Sequence, residues 1–141
     1  MPLQDPNVDQ DLRLAIQRLA RRIRSMQADG DVTEGQRAVL FALAKNGTQT
    51  LGSLSEHERV TPPSMNRTVN ALVELALVTR KTAADDARKV NLDLSPTGEA
   101  FIRETRRRRD AWFTTQLDAL PPEQRRMLRE IVPILRDLAD N

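Results

Sequence analysis

The sequence predicts a mainly α-helical fold that carries one small β-hairpin. Apolar residues recur every three or four positions over most of the 141-residue chain, which is helical spacing. A short helix-forming stretch begins at Thr61 and is followed by two β-rich runs, residues 77–81 and 90–94. The segment between these runs, residues 82–89, is polar and charged. A helix beside a charged hairpin is typical of a winged helix-turn-helix, in one domain at this length.

The first predicted helix starts at Val8 and ends before Asp29-Gly30, because its apolar residues step by three or four up to Met26. Residues 1–7 are polar, contain two prolines and are expected to form an N-terminal arm. The opposite helix face is rich in arginine. We interpret it as a solvated face, with a ligand-facing or inter-subunit role for one or two arginines as the alternative.

The next two helices are delimited by local capping patterns. Thr33 and Gln36 form a possible capping box for a helix that ends at Asn46-Gly47. Thr50 precedes a shorter helix that runs to about Arg59. Together with the helix that follows, this short helix makes the helix-turn-helix, with its turn at residues 57–60.

The helix that begins at Thr61 is the predicted recognition helix. Thr61 is a favourable N-cap, and Pro62 and Pro63 lie in the first turn, where a missing N–H costs little. We expect one buried stripe, made of Met65, Val69, Leu72 and Ala76. The other face is polar and suits the major groove of DNA. The residues predicted here to bind DNA are Pro63, Ser64, Asn66, Arg67, Thr68 and Asn70.

The hairpin is predicted to be a basic wing. Arg88 and Lys89 near its tip are candidate DNA contacts, and Asp86 is expected to orient Arg88. The alternatives are that Arg88 is simply solvated and that Asp86 is an ordinary turn residue. Residues 59–89 contain six cations and three acids, a local excess of +3, whereas the chain as a whole has a net charge of +2. The positive charge is therefore concentrated on the proposed DNA-binding element.

A long helix is predicted from Ser95 to Leu120, and Pro121-Pro122 separates it from a final helix. The long helix contains four consecutive arginines, residues 106–109, which point in all directions around its axis. We interpret them as solvated, with Glu104 and Asp110 as helical partners; lining a cavity or contacting DNA phosphates are the alternatives. Pro133 is expected to bend the final helix.

The hairpin and the residues after it resemble the MarR family of bacterial transcriptional regulators. The match runs from Asp86-Ala87-Arg88 through Leu92 and Leu94 to the Ser-Pro-Thr-Gly sequence of residues 95–98. It follows a Ser-x-x-Arg pattern at residues 64–67 and the Leu-Val pair at residues 77–78. One departure is Ala76, where the family usually has glycine.

The resemblance implies a homodimer that binds double-stranded DNA. Residues 31–98 would form the winged helix-turn-helix lobe, and residues 8–29 and 99–141 the dimerisation helices. Arg67 would act from the recognition helix, and Arg88 would enter the minor groove. Family members are commonly repressors released by small aromatic or other anionic effectors. By analogy, a pocket is expected between the first helix, the second helix and the start of the long helix.

Other functions find little support in the sequence. The chain has no cysteine and only one histidine, His57, which is expected to be a surface residue, so we predict no metal site, cofactor or thiol sensor. The five glycines form no phosphate-binding loop, and no nucleophile has a predicted base, so we do not expect an enzyme. No apolar run is long enough to span a membrane, which favours a cytoplasmic protein. The alternative function is an all-helical protein-interaction module without DNA binding.

Overall fold

The computed structural model describes residues 6–28, 30 and 32–141. Most of the predicted N-terminal arm and Asp29 of the predicted helix end lie outside the described residues. Pro6 and Asn7, which we had assigned to the arm, belong to the first helix. No helix among the described residues is long and apolar enough to cross a membrane.

The described chain contains six helices and three short strands, so the predicted fold class is confirmed. The helices are α1 (Pro6–Arg24), α2 (Glu34–Asn46), α3 (Leu51–Glu58), α4 (Pro62–Glu74), α5 (Pro96–Asp118) and α6 (Pro122–Asp140). The strands are β1 (Gln49–Thr50), β2 (Val78–Thr82) and β3 (Val90–Leu94).

The chain divides into two compact units. The central unit comprises residues 28–106 and holds α2, α3, α4, the sheet and the start of α5. The terminal unit comprises the residues up to 27 together with residues 107–141. It holds α1, the rest of α5 and α6.

The hydrophobic core of the central unit is built from one apolar face of each of its helices. Its most deeply buried apolar side chains come from α2, α3, α4, α5, β2 and β3. These residues are Val39, Leu40, Leu43, Leu54, Met65, Val69, Leu72, Val78, Leu92 and Ile102. Removing these side chains from water stabilises the packing that holds α4 against the rest of the unit.

The sheet has three antiparallel strands in the order β1-β3-β2. The predicted hairpin is present, with Val78 opposite Leu94 and Thr82 opposite Val90, although β2 begins and ends one residue later than expected. We did not predict β1, in which Gln49 pairs with Leu92. A two-residue strand is too short to show the alternation by which strands are recognised in a sequence.

Helix starts agree well with the capping patterns. Thr33 and Gln36 form the predicted capping box, and Gly47 ends α2 with a φ of +75°. The Oγ1 of Thr50 accepts from Ser53 N, and that of Thr61 accepts from Ser64 N. These caps satisfy N–H groups that would otherwise have no partner within the helix.

The end of α4 differs from the prediction. The helix ends at Glu74, and Ala76 is exposed with a φ of +60°, so its place in the buried stripe was wrong. A left-handed residue turns the chain out of the helix and takes Ala76 away from the core. This conformation costs a residue with a Cβ about 1 kcal/mol or more and favours glycine, the residue that the family usually has here.

Ser95 ties this turn to the start of α5. Its hydroxyl donates to Ala76 O at 2.5 Å and accepts from Gly98 N at 3.0 Å, while its backbone N donates to Leu77 O at 3.0 Å. A single side chain therefore caps one helix and satisfies a carbonyl at the end of another. This arrangement explains the serine of the Ser-Pro-Thr-Gly sequence.

In the terminal unit, α1 ends at Arg24, earlier than predicted, and Met26 lies beyond it. Two α5 arginines donate to carbonyls in this segment. Arg108 Nη1 lies 3.0 Å from Gln27 O, and Arg109 Nε lies 3.1 Å from Met26 O. The interpretation of these two arginines as solvated was therefore wrong, because each binds backbone more than 80 positions away in the sequence.

The α1 arginine face is mostly exposed, as predicted, although the guanidinium of Arg22 lies 5.6 Å from the centre of the Trp112 ring. The apolar faces of α1 and α6 are also exposed. No residue described in α6 is buried, and its exposed apolar residues are Met127, Leu128, Ile131, Val132, Ile134, Leu135 and Leu138. Pro133 lies inside α6, and the bend expected there stays a prediction.

Candidate nucleic-acid interface

The outward face of α4 is set by its cap and its buried stripe. Met65, Val69 and Leu72 are at most 2% exposed, so the helix is held along one side. The cap at Thr61 and the prolines at the first two positions define where the helix begins. The opposite side presents Pro63, Arg67 and Asn70 to solvent. These three are among the residues predicted to bind DNA.

The remaining predicted residues of α4 are half-buried. The backbone N of Ser64 donates to the helix cap, and Thr68 Oγ1 donates to Ser64 O at 3.3 Å. The Thr68 hydroxyl hydrogen is thus committed to the helix, although its oxygen can still accept a hydrogen bond. Asn66 flanks the exposed face and contacts a residue of the sheet.

That contact residue is Arg80 of β2, which we had counted only as one of the cations. Arg80 Nη2 donates to Asn66 Oδ1 at 3.2 Å and also to Asn70 Oδ1. Asn66 and Asn70 are four residues apart, and therefore lie on the same helix face, where one guanidinium can reach both. The spacing of the two asparagines was visible in the sequence, but the strand residue facing them was not.

The wing contains the predicted pair of Asp86 and Arg88. Asp86 Oδ1 accepts from Arg88 N at 2.9 Å and from Arg88 Nε at 3.3 Å. The loop is closed by Ala83 N, which donates to Lys89 O at 2.9 Å, and by Lys89 N, which donates to Asp86 O at 3.0 Å. The Arg88 side chain is 91% exposed. Asp86 therefore restrains a guanidinium that remains accessible.

Arg80 also connects the helix face to the wing. A cleft of about 400 Å³ is lined by Arg80, Arg88 and Lys89, together with residues at the start of α3 and on β3. Arg80 thus contacts the asparagines of α4 and lines the same cleft as the wing cations. This cationic surface, from Asn66 and Asn70 through Arg80 to Arg88 and Lys89, could meet a polyanion with both elements.

His57 is exposed, as expected, and its Nε2 lies 4.0 Å from Glu58 Oε1. Among the residues that the structure describes, no group of three or more histidines, cysteines or acids could hold a metal ion. The cationic surface offers hydrogen-bond donors and positive charge, which suit phosphates and base edges.

Comparisons with known proteins show which family the chain resembles. A family model described as MarR family matches residues 30–89. An uncharacterised helix-turn-helix transcriptional regulator of Mycobacterium leprae is 34% identical over 136 residues, covering 96% of this chain and 95% of the relative. The transcriptional repressor MdtR of Bacillus subtilis is 27% identical and covers 92% of this chain and 86% of its own length.

Among solved structures, a protein of Pseudomonas aeruginosa described as a transcriptional regulator matches with a TM-score of 0.85. It is 27% identical, and the match covers 99% of each chain. The similarity therefore extends over both units and is not confined to the hairpin.

Proposed function

The chain belongs to the MarR family of DNA-binding transcriptional regulators, and we propose that it is a homodimeric repressor that binds a palindromic operator and responds to a small effector. Members of this family regulate transcription and are not enzymes. The Bacillus subtilis relative is a repressor, which supports the same sign of regulation here. The proposed partner of the present chain is chromosomal DNA, so we propose that this protein acts in the cytoplasm.

The observation that carries the DNA-binding mode is the cationic surface. With α4 in the major groove, Arg67 and the amides of Asn66 and Asn70 would face base edges and phosphates. Arg88 would then enter the adjacent minor groove, where a narrow A·T-rich segment has an enhanced negative potential. Asp86 lowers the entropy cost of this contact by holding the guanidinium before DNA arrives.

The homodimer is supported by the apolar faces of the terminal unit. Ile134 and Leu138 of α6 are 58% and 64% exposed, and Leu12 of α1 is 56% exposed. Leu12, Ile16 and Leu138 line one shallow apolar groove of about 300 Å³. Exposed apolar patches of this kind mark interaction surfaces, and a second copy of the same helices would cover them. Two copies present two recognition helices, hence the palindromic operator.

The effector response rests on the family. An aromatic or otherwise anionic ligand would favour a dimer whose two recognition helices no longer match the spacing of successive major grooves. The ligand must bind this state more tightly than the DNA-bound state, since equal affinity for both would leave their populations unchanged.

The test is selection of duplex DNA from a randomised library, followed by measurement of affinity against salt. We expect one enriched palindromic site, and a linear fall of the logarithm of affinity with the logarithm of salt concentration. Arg88→Ala should lower the slope by about one for each protomer, because a guanidinium in the minor groove neutralises the charge of the flanking phosphates and displaces about one counterion. Arg126→Ala, an exposed arginine on α6, is the matched control and should leave the slope unchanged.

Absence of any salt-dependent binding to duplex DNA would overturn the proposal and favour the protein-interaction module. An asymmetric site or a single half-site would contradict the palindromic part alone. Compounds that weaken binding to the selected duplex can then be sought among aromatic carboxylates and related anions.

A further inference from the structure

We propose that Arg80 is a positioning residue that orients the amides of Asn66 and Asn70 so that α4 presents N–H donors to the groove. As a consequence, these asparagines select guanine, whose major-groove edge carries two acceptors, over adenine. The inference rests on the proposed function and concerns how the recognition helix discriminates between bases.

The orientation follows from the chemistry of the contacting atoms. Arg80 Nη2 lies 3.2 Å from Asn66 Oδ1 and also contacts Asn70 Oδ1. A guanidinium has only donors, so the amide atom that faces it must be the oxygen and not the nitrogen. Both Nδ2 groups are therefore turned away from the Arg80 nitrogen that holds the oxygens.

A free asparagine commonly reads adenine, because its oxygen accepts from N6 while its nitrogen donates to N7. That bidentate contact requires the amide oxygen and the amide nitrogen of one asparagine to face the same adenine edge. In this protein the same guanidinium holds both oxygens, and its charge strengthens the hydrogen bonds. Bidentate reading of adenine would require each oxygen to turn towards N6 while Arg80 holds it, whereas donating from Nδ2 to guanine O6, an acceptor that adenine lacks, leaves the contacts with Arg80 intact.

Arg80 is well placed for this role because it belongs to a strand and not to the helix it restrains. Arg80 pairs with Leu92 of β3, and Leu92 is buried. The sheet therefore fixes the backbone that carries the Arg80 guanidinium. Both hydrogen bonds use Nη2, so Nε and Nη1 are not engaged in them. Arg80 can thus restrain the asparagines and still contribute charge to the cleft beside the wing.

The experiment compares base preferences of the full-length protein and its variants in selection from a randomised duplex library. Positions read through these amides are identified first, as those whose preference changes in Asn66→Asp or Asn70→Asp. Aspartate keeps the contact with Arg80 but replaces the donor by an acceptor, so these positions should change from guanine to cytosine, whose N4 donates. Wild-type preference for adenine at these positions, or no change in either variant, would overturn the proposal.

The role of Arg80 itself is tested by Arg80→Met, which removes the donor and keeps most of the length of the side chain. Guanine preference over adenine should fall by about fivefold at the same positions, since a single hydrogen bond from Nδ2 discriminates less than a bidentate contact. Lys81→Ala removes one charge from the neighbouring position of β2 and is the matched control. It should weaken binding to all sequences alike. An unchanged guanine preference in Arg80→Met would contradict the inference.

A measurement without DNA keeps this test separate from the proposed function. In the free protein, the side-chain amide signals of Asn66 and Asn70 in ¹⁵N spectra should shift in Arg80→Met and stay in place in Lys81→Ala. Unshifted amide signals would refute the positioning role. If the wild-type protein selects no duplex at all, the proposed function fails, whatever the spectra show.

Discussion

At the scale of single residues, Gly98 occupies a position with no room for a side chain. A Cβ built there would lie 2.1 Å from Leu77 O, a backbone atom that cannot swing aside. The same carbonyl accepts from Ser95 N, so moving it would also disturb the turn between α4 and β2. The glycine is needed for close packing of α5 against the chain and not for an unusual backbone angle.

We therefore predict that Gly98→Ala lowers the free energy of unfolding by about 3 kcal/mol or more, the upper range for overpacking a buried site. Gly35→Ala is the matched control, because Gly35 lies in the first turn of α2 with no atom within 4 Å of the added Cβ. It should raise the free energy of unfolding by about 0.5 kcal/mol, since alanine restricts the unfolded chain. Chemical denaturation of both variants measures the difference, and equal effects would contradict the prediction.

Residue-scale prediction from sequence was accurate where the interaction is local. The caps at Thr33, Thr50 and Thr61 each join a side chain to a backbone N–H three residues later, so residue types at short spacing reveal them. The pairing of Asp86 with Arg88 is also local and was predicted. Whether Arg88 and the polar residues of α4 contact DNA stays a prediction that the selection experiment tests.

At the scale of elements, α5 shows how one helix can supply several unrelated contacts. Arg106 places its guanidinium 5.8 Å from the centre of the Phe41 ring. Thr105 is fully buried and accepts from Ala28 N at 2.9 Å. Arg108 and Arg109 donate to carbonyls that follow or end α1. The four arginines point around the helix, as expected, but their number and order did not indicate the specific partners of Arg106, Arg108 and Arg109.

We predict that Arg109→Ala lowers the free energy of unfolding by about 1.5 kcal/mol, because a charged group bonded to backbone contributes more than a neutral pair. Amide exchange at the end of α1 should become faster. Arg103→Ala, an exposed arginine on the same helix, is the control and should change stability by less than about 0.5 kcal/mol. The variants are compared at one protomer concentration, since dimerisation would add to the apparent stability. Equal effects of the two substitutions would show that the hydrogen bonds of Arg109 add no stability.

At the scale of the whole molecule, the terminal unit exposes a large apolar surface, which a single copy of the chain would leave in contact with water. Its helices α1 and α6 carry most of the large exposed apolar residues, whereas the central unit buries its core and exposes only Val60 and Leu75 among the large apolar residues described there. This division supports the proposal that the central unit binds DNA and the terminal unit joins two copies. The predicted boundaries of these functions, residues 31–98 and their flanks, remain a prediction.

We predict that Ile134→Glu converts the proposed dimer to a monomer at micromolar concentration, because burying an unpaired carboxylate in the interface would cost several kcal/mol. Arg136 lies about 200° further around the same helix, on its polar side. Arg136→Glu is therefore the control and should leave the proposed dimer intact. Sedimentation velocity measures the outcome, with circular dichroism to confirm that both variants remain helical. A monomeric wild-type protein, or a dimeric Ile134→Glu variant, would refute this interface.

Six helices, the caps at Thr33, Thr50 and Thr61, the hairpin, the apolar stripe of α4 up to Leu72 and the resemblance to a family were all predictable from residue order alone. These features depend on periodicity and on contacts within a few residues, both of which can be read along the chain. The partners of the long polar side chains, in contrast, depend on how separate elements pack. Arg80 meets asparagines 10 and 14 positions away, and Arg109 meets a carbonyl 83 positions away. Such distances in sequence carry no periodic signal, because the packing of separate elements brings these groups together.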